Sequence, residues 1–311
     1  MLLSIVTPTR GNFSSYWFDQ LTSIQGDIEF VLVYPPGQAV QEFSDSRIKT
    51  IVSPYKGEVI QRAIGLLNIS GNYVIALDDD DFLHPEVTGL ISSYFELYPE
   101  SICLRLCKKS INYQDTDLIE REWDELPDVS QLTVVAPRYD KAKYAEHEIL
   151  HTLPISPLDN MFRVSSLWHY GKRVDQNGPH PENYNNRVWK ADITRESIND
   201  LLSFTQMIGS LTWIPFWSLD RLMALYLQAR IFQSGITIGH WLHGGEQIRY
   251  IKMPSVKKGE TRSMFASDML LALRFPKYGY FWNLFFCEIW IALKVFVRTR
   301  LSYLAKHFSS T

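Results

Sequence analysis

Behind the run Tyr73-Val74-Ile75-Ala76-Leu77 come four carboxylates in succession, Asp78, Asp79, Asp80 and Asp81. The run has the length and side-chain types of a buried strand, so the acids would stand at its C-terminal end. In open α/β sheets that edge is where ligands bind. Four adjacent negative charges repel one another. A divalent cation with oxygen ligands, Mn²⁺ or Mg²⁺, would offset them by taking one or two carboxylates together with phosphate oxygens. The competing reading is a solvated acidic turn ahead of a helix opening at Pro85, because carboxylates favour a helix N-terminus.

The elements that would position these acids are legible upstream and downstream. Residues 3–6, 28–34, 48–52, 73–77 and 101–106 are short apolar runs of strand length. Between them, residues 14–24, 58–69 and 85–97 read as helices. In the second, Val59, Ile60, Ala63, Ile64, Leu66 and Leu67 form one apolar face at helical spacing, and Gly71-Asn72 is expected to end it. Strand–helix alternation predicts an α/β fold with a single open, mostly parallel sheet flanked by helices. Beyond residue 108 the pattern weakens. Residues 114–128 and 172–199 read as loops or short helices laid over the sheet. Order returns with a helix over 219–233, a stop at Gly235 and a strand at 236–238.

Composition bounds the class. The chain has 311 residues, 46% apolar and 21% charged, with a net charge of −3. Seventeen Phe, sixteen Tyr and nine Trp exclude disorder as the main description. The net charge gives no electrostatic footprint for nucleic acid, and none is expected as a partner. Three cysteines are too few for a disulfide framework, and Cys103 and Cys107 read as buried apolar fillers. With no basic stretch ahead of the first apolar run, the N-terminus reads as a strand and the protein as cytoplasmic.

Charge is unevenly spread. Residues 262–311 carry seven basic against two acidic side chains, which leaves the rest at −8. We therefore divide the chain into residues 1–261, a catalytic domain with halves 1–107 and 108–261, and a basic, aromatic-rich helical tail, 262–311. Within the tail, residues 279–308 read as one amphipathic helix. Its Trp and Phe residues, flanked by Arg298, Arg300 and Lys306, suit a helix lying in a membrane interface. Packing on the body or on a second subunit is the alternative.

Three segments together resemble family-2 glycosyltransferases of the GT-A fold. Leu3-Ser-Ile-Val-Thr-Pro8-Thr9-Arg10 is similar to that family's first strand. Lys56-Gly57-Glu58-Val59-Ile60-Gln61-Arg62-Ala63 is similar to its glycine-to-arginine helix. The strand ending at Asp78–Asp81, with Pro85 after it, matches its Asp-x-Asp element. The resemblance covers roughly residues 1–100 and implies transfer of a sugar from a nucleotide-diphosphate donor, a UDP-sugar, to a hydroxyl acceptor. On the donor side it implies Thr7, Pro8 and Thr9 against base and ribose, Arg62 near base or diphosphate, Asp78 and Asp79 near ribose or sugar, and Asp80 on the metal, with Asp78 a further candidate ligand. Where the family's second strand ends in an acid, this chain has Val33-Tyr34-Pro35-Pro36-Gly37, and Tyr34 could stack on the base in its place.

An inverting transfer requires a carboxylate that takes the acceptor's proton. The resemblance implies Asp220, in Trp217-Ser218-Leu219-Asp220-Arg221, with Asp159 as the alternative and a helix N-cap as the plain structural role for Asp220. In His240-Trp241-Leu242-His243-Gly244-Gly245, His243 is a candidate third metal ligand or diphosphate contact, or else a structural histidine. Trp213, Phe216 and Trp217 are candidates for the acceptor side or for core. The aromatic tail points to a glycan or lipid-linked glycan acceptor at the inner membrane face. Nucleotidyl transfer and a non-catalytic sugar- or membrane-binding scaffold are the other classes. The first lacks a glycine-rich phosphate loop, and intact Asp78 and Asp80 argue against the second.

Overall fold

In the computed structural model, residues 1–156, 161–162, 164, 183–208, 216–232, 237–252 and 264–308 are described, with backbone only for 206–208, 216–218, 295 and 298–308. The N-terminal half runs β1 (Leu3–Pro8), α1 (Ser15–Ser23), β2 (Ile28–Tyr34), β3 (Ile48–Val52), α2 (Glu58–Leu67), β4 (Tyr73–Ala76), β5 (Phe82–Leu83), α3 (Val87–Leu97) and β6 (Cys103–Arg105). Then come β7 (Lys108–Asn112), α4 (Thr116–Glu120), β8 (Thr133–Val135), β9 (Ile149–Pro154), β10 (Arg187–Lys190), α5 (Ala191–Ile208) and α6 (Phe216–Arg230). The chain closes with β11 (Thr237–Leu242), β12 (Ile248–Lys252), α7 (Phe265–Arg274) and α8 (Gly279–Phe308).

Nine strands form one sheet in the order β3-β2-β1-β4-β10-β6-β11-β9-β8, and β5-β12-β7 form a small second sheet. β3, β2, β1, β4, β6 and β11 run one way, and β10, β9 and β8 the other. This is the mostly parallel, helix-flanked sheet that the sequence predicts. Alternation along β1 shows why it is buried on both faces. Leu3 and Ile5 join one core with Trp17 of α1 and Ile91 of α3. Val6 joins the other core with Val59, Ala63 and Leu66 of α2 and with residues of α5, α6, α7 and α8.

Two glycines fix how α2 meets the sheet. Gly57 opens the helix at φ 126, a left-handed conformation that favours glycine. A side chain at Gly65 would run into Val6 and Val33, so its absence lets α2 settle onto β1 and β2. The helix ends at Leu67, capped by Asn68, earlier than Gly71-Asn72. Gly71 instead closes the turn into β4, its N–H donating to Ser4 Oγ at 2.9 Å where any side chain would strike Leu2 and Ser4.

Within 172–199, where loops or short helices are expected, the described part is loop only over residues 183–186. β10 fills the gap between β4 and β6, and α5 buries Ile198 and Leu201. α4 is the only helix within 114–128 among the described residues. The helix expected over 219–233 is α6, beginning earlier, and Gly235 lies outside the described residues. All three cysteines are free, with Cys103 fully buried.

α8 spans the 279–308 read as helix. Tyr280, Phe281, Leu284 and Cys287 are buried against the body, each apolar side chain of this size contributing roughly 1.5–3 kcal/mol. Its later turns expose Leu293, Phe296 and Val297. α7 is tied to α6 by a buried pair, Arg221 and Asp268 at 3.2 Å. Among the described residues no helix is long and apolar enough to cross a membrane.

One buried group makes the fold pH-sensitive. His240 Nδ1 shares a hydrogen bond with the Tyr94 hydroxyl at 2.8 Å, and burial pushes its pKa down to about 4. The unfolded chain takes that proton near pH 6.5, the folded state only near 4, so stability is fully present above 6.5 and declines as pH falls between the two. The share from His240 is on the order of 3 kcal/mol. A His240→Gln variant is expected to lose part of the drop in Tm that the wild type shows between pH 7 and pH 4.5, measured by calorimetry. An unchanged drop would remove His240 as its source.

Candidate functional site

The C-terminal ends of β1 and β4 bring the predicted acids together around one arginine. Val59, Ala63 and Leu66 face the sheet, which turns Glu58 and Arg62, one helical turn apart, toward the strand ends. Gln61 anchors this register by donating to the Val33 carbonyl at 2.7 Å. Arg62 is only 3% exposed, yet it makes four charge-assisted or polar bonds. It donates to Asp78 at 2.6 Å, Asp220 at 2.7 Å, Glu58 at 3.0 Å and the Asn185 side chain at 2.5 Å. Three carboxylates around one guanidinium leave an excess of negative charge. Burial pushes Asp220 and Glu58 upward in pKa, while Arg62 pulls each back down.

Beside this clamp, carboxylate oxygens of Asp78, Asp80 and Asp81 lie within 4.8 Å of one another. Burial first, and then repulsion from neighbouring acids, raises Asp80 to about 6 and Asp81 to about 8. Asp81 is buried. Its Oδ1 accepts from the Ile251 N–H at 3.0 Å, while its Oδ2 has no partner. An orphaned, buried carboxylate oxygen facing two further acids fits a small divalent cation with oxygen ligands. Asp81 was not singled out from the sequence, since no periodicity tells which of four consecutive acids turns inward.

The other predicted residues fall in different places. Asp79 turns away from the cluster and accepts from Thr9 Oγ1 at 2.7 Å, tying the end of β1 to that of β4. Thr7 and Pro8 are buried beside it, and the Thr7 hydroxyl is unpartnered. Tyr34 corrects an expectation: it is fully buried in the core with its ring against Gly11, and presents no face on which a base could stack. His243 is not among the clustered ligands. Its Nε2 lies 3.2 Å from His151 Nδ1, its ring sits 3.7 Å from that of Trp241, and burial pushes it down to about 4. Asp159 and Trp213 lie outside the described residues, as do the side chains of Phe216 and Trp217.

Asp78, Arg62 and Asp220 open onto a cleft of about 1120 Å³. Its far wall comes from the ends of β6 and β11 and the segment before β9, and includes Arg105, Lys108, Arg138 and Trp241. None of these was selected from the sequence, because their meeting depends on strands far apart in the chain.

Neither a protein-family model nor a curated protein matches this sequence. Among solved structures the chain is similar to S. aureus TarS residues 1–349 in complex with UDP-GlcNAc. The TM-score is 0.50 at 11% identity, over 88% of this chain and 66% of that one. The same S. aureus protein in complex with UDP aligns at a TM-score of 0.45 and 12% identity, over 88% and 65%. The chain thus spans just under two thirds of these structures. At such identity the likeness is one of fold: a GT-A-type α/β architecture with helices at the C-terminal end.

Proposed function

We propose that this chain is a glycosyltransferase that moves a sugar from a UDP-sugar to a hydroxyl acceptor, with a divalent cation and with inversion. The observation that carries the reading is the Asp78, Asp80 and Asp81 cluster, joined through Arg62 to Asp220 at the mouth of one cleft. A similar fold has been solved with UDP-GlcNAc bound.

Asp78, Asp80 and Asp81 would hold Mn²⁺ or Mg²⁺, which when bound offsets the charge of the diphosphate leaving group. Thr9 and Asp79 hold the ends of β1 and β4 in register next to that cluster. Arg62 keeps Asp78 and Asp220 on one guanidinium, fixing the donor-side acid and the proton acceptor relative to each other. Asp220 takes the proton of the attacking hydroxyl as its oxygen bonds the anomeric carbon and the bond to the diphosphate breaks. Arg62 helps keep Asp220 ionised against burial.

A thermal-shift panel of nucleoside diphosphates tests the donor. UDP with Mn²⁺ is expected to raise Tm, by about 2.7 kcal/mol of stability at a ligand concentration of 100 times Kd. UDP without Mn²⁺ would do less. A panel in which no nucleoside diphosphate shifts Tm with either metal would sink the reading.

The acceptor is proposed to be a glycan, carried on a lipid, reached from the inner membrane face. The exposed apolar side chains Leu293, Phe296 and Val297 on the outer turns of α8 support this, together with the basic residues that follow them. Truncation after residue 288 keeps the buried half of α8 and is expected to release the protein from anionic vesicles in a sedimentation assay. Equal binding by the truncated chain would reject the interfacial helix.

A further inference from the structure

Arg62 divides its partners between its two terminal nitrogens. Nη2 donates to Glu58 and Asp78, whereas Nη1 donates to the Asp220 carboxylate at 2.7 Å and to Asn185 Oδ1 at 2.5 Å. Two oxygens on one nitrogen put the Asn185 carboxamide beside the proposed proton acceptor. The bond also fixes which way the amide faces. A guanidinium offers no acceptor, so the Asn185 atom against it is the carbonyl oxygen and the NH2 group points away from Arg62. Asn185 is half-buried and lines the cleft together with Arg62, Asp78 and Asp220. Its Nδ2 has no partner among the described residues, which leaves its N–H donors to the cleft.

The backbone on either side of Asn185 is pinned to both halves of the site. Tyr184 is buried, with its ring stacked on Trp189 at 5.4 Å and its carbonyl accepting from Trp189 Nε1 at 3.0 Å. The Tyr184 N–H donates to the Asp220 carbonyl at 3.0 Å. On the other side the Asn186 N–H donates to the carbonyl of Ala76, two residues before Asp78, at 3.4 Å. Asn186 holds φ 59, the left-handed region that asparagine enters more readily than other residues with a Cβ. The Asn185 carbonyl accepts from Arg187 at 3.0 Å. One carboxamide is thus tied at once to the helix bearing Asp220 and to the strand leading to Asp78. A donor held in this way needs no reordering when a substrate oxygen arrives.

Resting on the proposed transferase reading, we infer that Asn185 aims the attacking hydroxyl. A hydroxyl has one proton and two lone pairs. Asp220 takes the proton, Asn185 Nδ2 donates a hydrogen bond to one lone pair, and the other lone pair forms the bond to the anomeric carbon. As it forms, the bond from that carbon to the diphosphate oxygen breaks, and its electron pair leaves with the nucleoside diphosphate. Asn185 keeps its own protons throughout. A carboxylate alone would hold the hydroxyl and leave its oxygen free to turn about that single hydrogen bond.

Donor hydrolysis by the full chain with Mn²⁺, water serving as acceptor, tests this on a panel of UDP-hexoses and UDP-N-acetylhexosamines. Asn185→Ala is expected to lower kcat about tenfold to a hundredfold, with donor KM and the Tm shift from UDP with Mn²⁺ unchanged. Asn185→Asp is the decisive variant. Its carboxylate still accepts from Arg62, so the clamp is kept, but it brings no N–H. A purely structural role predicts wild-type kcat for it. The inference predicts the loss seen in Asn185→Ala, persisting at every pH where the new carboxylate is ionised. Recovery of Asn185→Asp at high pH would mean that the added charge had only raised Asp220, and would overturn the inference. So would wild-type kcat in Asn185→Asp. A raised donor KM with unchanged kcat in Asn185→Ala would overturn it too, by assigning the amide to the donor. A wild type that turns over no donor faults the transferase reading and this inference with it, whereas wild-type turnover beside an unaltered Asn185→Asp faults the inference alone.

Discussion

Asp80→Ala is expected to slow metal-dependent turnover of the UDP-sugar by two to four orders of magnitude while leaving the protein folded. Loss of several kcal/mol of leaving-group stabilisation corresponds to that range, at about 1.4 kcal/mol per decade. Asp80 is partly exposed and, among the described residues, is reached by no salt bridge, so its removal relieves repulsion from Asp78 and Asp79 and costs little packing. Asp81→Asn gives the sharper contrast. The asparagine carbonyl can still accept from the Ile251 N–H, while the buried charge with its orphaned oxygen disappears. The metal-free variant is expected to melt at or above the wild-type temperature at neutral pH, because there the wild type must either bury the charge or hold the Asp81 carboxyl protonated well above its ordinary range. Its turnover is expected to fall with that of Asp80→Ala, and UDP with Mn²⁺ is expected to shift its Tm less. Both are read from scanning calorimetry beside a donor-hydrolysis assay. If both variants turned the donor over at the wild-type rate, the cluster would have no part in the chemistry.

How much of this was legible in the amino-acid order depends on the range of the interaction that decides each element. The edge strand β3 is partly exposed and keeps Lys49 and Thr50 among its apolar residues, whereas β1, β2 and β4 are buried on both faces, so they read as continuous apolar runs. β10 does not: Arg187-Val188-Trp189-Lys190 is four residues with two charges, and becomes a central strand only because β4 and β6 leave a gap for it. α5 begins inside a stretch expected to hold only loops or short helices, because Asp192, Arg195, Glu196, Asn199 and Asp200 mask the apolar stripe of Ile198 and Leu201. At the site, the acids were visible as a strand-end cluster. Asp81's inward turn depends on the N–H of Ile251, 170 positions away. Tyr34 shows the opposite error: a residue at a strand end was taken as available, and Gly11 closes over it. The approach of Arg62 to Asp220, 158 positions apart, is a product of how α2 and α6 cover one face, and no local spacing foretells it.

That approach makes Arg62 the position where a large expected effect on stability accompanies a large one on turnover. Arg62→Met removes the cation and leaves Glu58, Asp78 and Asp220 facing one another in a half-buried recess. Breaking one partner out of a buried network of this kind costs about 3–5 kcal/mol. The variant is therefore expected to melt well below the wild type. Turnover is expected to fall by a hundredfold or more, the general-base contribution being about 10²–10⁴. A structural role alone would explain the melting. The pH profile separates the two, because Arg62 acts on Asp220 by holding its carboxyl down against burial. Arg62→Lys keeps a charge and at most part of the fork, so in it Asp220 rises toward the protonated form. The acid limb of the transfer rate is then expected to move to higher pH, with activity recovering as pH increases. Asp220→Asn is expected to lose turnover at every pH and to melt close to the wild type, since the amide oxygen still accepts from Arg62. Joining Arg62→Met to Asp220→Asn removes one of the three stranded carboxylates, and is expected to recover part of the Tm lost by Arg62→Met alone. An acid limb in Arg62→Lys that coincides with the wild type would detach Arg62 from the proton acceptor and leave it as packing.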